Sequence, residues 1–152
     1  MVVLSGPEPQ RSLLENKLLA ELKNYKGKAL FVRGILKEEP KTSKNKNIEV
    51  INYLLANDLE KAINESEIVI ARSGYSTIMD LAVLGKKAFF IPTPGQFEQE
   101  YLAEKLQKEQ IATFATQESF ELDNLKGLTK FSGFKTNDTS INLDFFNLFE
   151  RK

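Results

Sequence analysis

Cysteine, histidine and tryptophan are absent from the 152 residues. Without Cys there are no disulfides, no thiolate nucleophile and no Cys-based zinc site. Without His there is no imidazole base, no Ser-His-Asp triad and no His-ligated metal. Any acid–base work by this chain falls to Asp, Glu, Lys or Tyr. An excess of charge is missing too, since 21 basic side chains face 21 acidic ones. No surplus of Lys or Arg is left to displace phosphate counterions, so a nucleic-acid module is not expected. No apolar run approaches the ~18 residues of a membrane span. Met1 leads straight into Val2-Val3-Leu4, with neither the charged start nor the apolar stretch of a signal peptide. A chain that starts inside its first strand is expected to be part of something longer. The length and a 41% hydrophobic, 28% charged composition fit one soluble domain with a single usable core.

What is present is a repeated pattern of short apolar runs and helical spacings. Val2–Ser5 reads as a buried strand stopped by Gly6-Pro7-Glu8-Pro9. Leu13, Leu14, Leu18, Leu19 and Leu22 recur at helical spacing, which predicts a helix from about Gln10 to Asn24. Ala29–Val32 is a second strand, and the polar, Lys-rich segment Lys37–Asn47 reads as a surface loop. A third strand is expected over Ile48–Tyr53, followed by a helix of about Asp58–Asn64 with Asn57 as its cap. Ile68–Ala71 and Ala88–Ile91 are the fourth and fifth strands, with a helix marked by Ile78, Leu81, Ala82 and Leu84 between them. Phe97, Tyr101 and Leu106 line one face of the next helix, to about Lys108; Ile111–Phe114 is a sixth strand, and Ser119–Leu125 a short helix. Strands alternating with helices, apolar throughout, predict an α/β, doubly wound, mainly parallel six-stranded sheet covered on both faces. The expected domain is 1–125. Residues 126–152 form a tail with a short helix near Asn142–Glu150; five of the eleven Phe lie there, and the simplest reading packs them on this domain's own sheet.

Right-handed crossovers put every strand C-terminus on one edge, where ligands of this class bind. Three loops lie on it. In Ser5–Arg11, Gly6 permits a tight turn, the following helix offers free N–H groups to an anion, and Arg11 adds a charge-assisted contact to phosphate. With one Gly and two Pro it is neither G-x-G-x-x-G nor a P-loop. In Ala71–Thr77, Gly74 allows close ligand approach, while Ser73, Ser76 and Thr77 are either ligand donors or plain helix caps. Asp80, further along that helix, is placed to accept from a ribose diol or to sit in solvent. In Pro92–Glu100, Gln99 stands among acidic residues that a helix N-terminus favours anyway.

Together these segments resemble the C-terminal, donor-binding domain of family 28 glycosyltransferases of the GT-B fold, which include the lipid II-forming UDP-N-acetylglucosamine transferases. The run Ile70-Ala71-Arg72-Ser73-Gly74-Tyr75-Ser76-Thr77-Ile78-Met79-Asp80 through Gly85 to Pro92, and Gln99-Glu100-Tyr101 beyond it, carry the resemblance. It covers about Val2–Leu125 and is specific from Ile70 to Leu106. It implies a Rossmann-like half of a GT-B fold, an inverting and metal-independent sugar transfer, and a UDP-sugar substrate with no other cofactor. It implies phosphate contacts from Gly6, Gln10 and Arg11 and from Arg72, Ser73, Gly74 and Thr77. Asp80 matches the ribose-binding position, where the family usually has Glu. Leu55 lies in the stretch expected near the uracil, and Gln99 and Glu100 match the sugar-binding Gln pair, the second departing from it.

No residue here matches a catalytic base, which in this family belongs to an N-terminal acceptor domain. The resemblance therefore implies a partner for this chain: that missing domain, or a second subunit if the chain is a separate donor-binding subunit. It also implies a cytoplasmic location, with any peripheral contact to the inner membrane made by the missing part. A sugar-nucleotide epimerase is a rival reading, but Ser73-Gly74-Tyr75 and Met79-Asp80 lack the Gly-Gly and Glu-Glu expected of one. A non-catalytic α/β nucleotide-binding module is the remaining alternative.

Overall fold

A computed structural model describes residues 1–36 and 42–135. The strands are β1 (Val2–Val3), β2 (Ala29–Val32), β3 (Thr42–Asn45), β4 (Ile48–Ile51), β5 (Ile68–Ala71), β6 (Lys87–Phe90) and β7 (Thr113–Phe114). Helices α1 (Gln10–Leu22), α2 (Ala56–Glu65), α3 (Tyr75–Val83) and α4 (Phe97–Lys108) follow β1, β4, β5 and β6, and a 3-10 helix spans Leu122–Lys130. The sheet order is β3-β4-β2-β1-β5-β6-β7, with every pair parallel except β3–β4. From β1 the chain winds outward to β2 and β4, then returns through α2 to β5 on the other side of β1. The loops after β1 and β5 therefore face each other across a topological switch point.

Alternation along the central strands sends side chains to two separate cores. Phe89 joins Val2, Leu4, Phe31 and Ile70 under α1 and the 3-10 helix, where Leu14, Leu18, Phe120 and Leu128 meet them. Its neighbour Phe90 points the other way, with Val69 and Ala71, into Ile63, Ile78, Leu81, Leu102 and Leu106 of α2, α3 and α4. The sheet is thus covered on both faces, as its apolar strands require.

Several expectations are corrected. The sheet has seven strands, because the Lys-rich segment read as a loop contains β3, which pairs antiparallel with β4 from Thr42↔Ile51 to Asn45↔Ile48. As an edge strand whose described residues are exposed, it has no need of apolar side chains, so hydrophobic patterning could not reveal it. The rest of that loop, 37–41, lies outside the described residues. Helix α2 starts at Ala56 with Leu55 as N-cap and no side-chain cap, so Asn57 is inside the helix. Phe97 and Tyr101 are exposed, at 82% and 50%, and only Leu106 of that face is buried. The boundary expected at 125 falls inside the 3-10 helix, whose Leu128 is a core residue; Phe134 packs against the second core. Residues up to 135 thus belong to the domain, and the helix expected at Asn142–Glu150 lies outside the described residues.

Phe89 is 1% exposed and meets Phe120 edge to face, ring centroids 5.4 Å apart. Phe89→Ala is expected to cost about 3–5 kcal/mol in urea unfolding. Gly34 follows β2 with φ +73°, and a Cβ there would lie 2.3 Å from the Leu4 carbonyl oxygen. Gly34→Ala is therefore expected to lower the urea midpoint despite adding only a methyl group.

Candidate ligand-binding edge

The turn after β5 is built around a buried cation. Arg72 is 1% exposed. Its Nη1 donates to the carbonyls of Ile91 (3.1 Å) and Pro92 (2.9 Å), and its Nη2 donates to the Gln10 carbonyl (3.0 Å) and Gln117 Oε1 (2.6 Å). Gln117 Nε2 in turn donates to Gln10 Oε1 at 3.0 Å. Burial pulls the Arg72 pKa down to about 10, still far above neutrality, so the group is a cation. Its guanidinium lies beneath the site and locks the start of α1, the end of β6 and the segment after β7 together. Ser73 is fully buried, and its hydroxyl donates to the Gln99 carbonyl at 2.8 Å, tying this turn to α4.

Gly74 is the N-cap of α3, with φ −71° and ψ 147°, and no side chain caps this helix. Ser73, Ser76 and Thr77 are therefore not serving as its cap. A Cβ built on Gly74 would meet nothing within 4 Å. Neither backbone geometry nor packing asks for glycine at this position. Asp80, on the same helix, lines a cavity of about 310 Å³ with Ala56, Leu59, Glu60 and Ile63 of α2 and with Val83 and Leu84. Leu55, 68% exposed, stands at the head of α2 on the same edge.

Across the switch point, Gly6 has φ +105°, a conformation that favours glycine. Arg11 is 8% exposed and is committed to carboxylates. Its Nη1 lies 2.6 Å from Glu15 Oε2, its Nε donates to Glu8 Oε1 at 2.7 Å, and Nη2 donates to Ser12 Oγ at 2.7 Å. Glu15, itself buried, also accepts from Arg33 Nε at 2.7 Å, and Arg33 Nη1 donates to Asn52 Oδ1 at 3.0 Å. Burial pulls the Arg11 pKa down, but the Glu15 and Glu8 carboxylates outweigh it and hold it above the usual arginine value. Hydrogen bonds from Ser12 first, then Arg11, hold the Glu8 carboxyl below its ordinary range.

The third loop is folded by its own helix. Gln99 Oε1 accepts from the Thr93 N–H (3.0 Å), Gln99 Nε2 donates to Gln96 Oε1 (2.5 Å), and Glu100 Oε1 accepts from the Gly95 N–H (3.3 Å). Glu100 also lines a cavity of about 420 Å³ with Glu104, Phe114, Gln117 and Glu118. Hydrogen bonds thus link Arg72 to Gln10 and Ser73 to Gln99, Asp80 lines the separate α2–α3 cavity, Gly6 and Gly74 stand in the loops after β1 and β5, and Thr77 is on the first turn of α3. Gln117, Thr93, Glu15 and Arg33 were not singled out from the sequence. Only the Arg11–Glu15 pair left a signal there, as opposite charges at i, i+4.

The model of the glycosyltransferase family 28 C-terminal domain matches residues 11–132. A UDP-N-acetylglucosamine–N-acetylmuramyl-(pentapeptide) pyrophosphoryl-undecaprenol N-acetylglucosamine transferase of Haemophilus ducreyi is 29% identical over 132 residues, 82% of this chain and 36% of that protein. The chain therefore spans about a third of that relative's length. The structure of Acinetobacter baumannii MurG aligns with a TM-score of 0.63 at 20% identity, over 95% of this chain and 48% of that one. ALG13 aligns at 0.61 and 14% identity, over 97% of this chain and 92% of that one. The two structures share the fold of this chain.

Lysine cannot reproduce the fork by which Arg72 reaches acceptors in separate segments. Arg72→Lys is expected to lose about 3 kcal/mol in chemical unfolding, since buried carbonyls are left without donors.

Proposed function

The chain belongs to the glycosyltransferase family 28 C-terminal domain family, and on that premise we propose that it is the donor-binding half of an inverting, UDP-sugar-dependent glycosyltransferase. The observation that carries the reading is Gly74, a glycine that its own protein does not need. It heads an α-helix with no side-chain cap, at the switch point, with open space where a side chain would stand. A ligand that comes close to the backbone accounts for it, and the N-terminal dipole of α3 favours an anion. In this reading Ser73, Gly74 and Thr77 receive the diphosphate and Asp80 accepts from the ribose hydroxyls. The uracil lies against the head of α2 near Leu55. Arg72 acts as a positioning residue from below. Gln99 and Glu100 shape the loop that meets the donor sugar.

The transfer needs a partner, the N-terminal acceptor domain. An acceptor hydroxyl oxygen attacks the anomeric carbon from the face opposite the diphosphate. The new C–O bond forms as the bond to the diphosphate oxygen breaks, and that oxygen leaves with the electron pair as UDP. The proton passes to a base on the partner. The part played by this chain is to orient the donor and to stabilise the charge growing on the leaving group through helix dipoles, without a required metal. Such an enzyme would work in the cytoplasm, and no helix among the described residues is long and apolar enough to cross a membrane. The near-complete match to the ALG13 chain favours one second reading, a separate donor-binding subunit joined to its acceptor partner non-covalently.

Gly74→Ala separates ligand binding from stability. Its unfolding free energy is expected to stay within about 1 kcal/mol of the parent, while UDP affinity in isothermal titration drops about tenfold. Asp80→Asn is expected to weaken UDP about fivefold and to shrink the preference for UDP over 2′-deoxy-UDP. A parent protein that binds no UDP, or a Gly74→Ala protein that binds it unchanged, refutes the reading.

A further inference from the structure

Helices α2 and α3 leave an apolar groove between them that no described segment fills. Its cavity of about 310 Å³ is walled by Ala56, Leu59 and Ile63 of α2 and by Val83 and Leu84 at the end of α3. Val83 is 63% exposed. Two carboxylates, Glu60 and Asp80, stand on the same walls, one helical turn nearer the ligand edge. Apolar surface left open and rimmed by charge marks a contact surface.

The chain leaves the described domain at the foot of this groove. The N–H groups of Ser132, Gly133 and Phe134 donate to the carbonyls of Gln110 (2.9 Å), Ile111 (2.9 Å) and Lys86 (3.1 Å). Lys86 lies just past α3, and its Nζ donates to the Asn64 and Ser66 carbonyls at 2.7 Å and 3.4 Å, where α2 ends. One residue thus joins the exit to the ends of both helices. Phe134 packs on the same core as Leu59 and Leu84. Beyond it the sequence is polar from Thr136 to Ser140 and then holds Ile141, Leu143, Phe145, Phe146, Leu148 and Phe149, followed by Arg151 and Lys152. At helical spacing Ile141, Phe145, Leu148 and Phe149 share one face. A helix over 141–149 measures about 13 Å, and the groove wall from Ile63 back to Ala56 about 10 Å. The polar link 136–140 reaches at most about 17 Å, enough to carry such a helix into the groove.

We propose that residues 141–149 dock in the groove between α2 and α3 of their own chain, with their apolar face against Leu59, Ile63, Val83 and Leu84 and with Arg151 and Lys152 beside Glu60 and Asp80. Three features select this occupant over a partner protein. The segment is tethered at the foot of the groove, so its local concentration there is of about millimolar order. Its apolar length matches that of the groove. Its basic end meets the two carboxylates on the groove walls. A ribose held by Asp80 competes with that basic end alone, and the docking itself does not depend on the donor-binding reading.

The chain has neither Cys nor Trp, so one introduced side chain of either kind reports alone. Val83→Cys is made in the full chain, and again with Phe145→Ser and Phe149→Ser added, and the rate of reaction with a maleimide is measured in each. Val83 is exposed in the domain, so the substitution leaves both cores intact. Docking is expected to make the thiol react about tenfold more slowly in the first protein than in the second. Leu13→Cys, at an exposed position of α1, is the control and is expected to react equally fast in both backgrounds. In a second experiment Phe149→Trp is expected to emit at shorter wavelength than tryptophan in water, and to shift to the red when Val83→Asp is added. Equal rates for Val83→Cys in both backgrounds overturn the proposal, as does an emission unmoved by Val83→Asp. A rate change at Leu13→Cys traces the effect to general unfolding and overturns it too. Protection of Val83→Cys that disappears on dilution places a second copy of the chain in the groove, which also overturns docking by the chain's own segment.

Discussion

A guanidinium sealed from water at the end of β5 needs acceptors, and the two terminal nitrogens of Arg72 find them in three segments far apart in sequence, while its Nε has none. The Gln10 carbonyl opens α1, the Ile91 and Pro92 carbonyls end β6, and Gln117 follows β7. Each is a strand end or helix start on the same edge of the sheet. Without that common donor, buried carbonyl groups would face each other across the switch point with no partner. One cation ties these segments together. The upper surface of the edge is left to main-chain groups, with Gly6 on one side and Gly74 on the other.

The electrostatics of that surface follow from the same arrangement. The arginines nearest the switch point are occupied: Arg72 by carbonyls, Arg11 by Glu8 and Glu15, and Arg33 by Glu15 and Asn52. A buried carboxylate shared by two guanidinium groups is stable where an unpaired one would not be, and it fixes α1 against the end of β2. With these guanidinium groups already paired, the positive character left on this edge is that of the helix N-termini. Glu8 is the exposed member of the set, and Glu15 is the buried one.

Much of this was legible in the order of residues. Continuous apolar runs such as Ile68–Ala71 and the leucine spacing of α1 mark buried strands and a helix packed on one side. The stretch from Ile70 to Pro92 pointed to the switch point and to the family. Other features left no trace. The edge strand β3 buries no apolar face, so no alternation announces it. Phe97 and Tyr101 have helical spacing with Leu106 yet face solvent, because spacing selects a stripe without saying how far the neighbouring helix extends to cover it. The roles of Arg72 and Arg11 were also hidden, since an arginine in a ligand loop reads as a phosphate contact whether it points up or down.

Sequence alone determined the α/β class, the parallel central sheet, the family, and which three loops share the ligand edge. All of these depend on local periodicity and on chain connectivity, and both are written along the chain. The tertiary structure decided which polar side chains are spent on partners inside the protein. Arg72 meets Gln117 across 45 residues, and Arg33 meets Glu15 across 18. Hydrogen bonds and ion pairs are satisfied by proximity in space, and proximity between distant residues exists only once the sheet has brought the loops together.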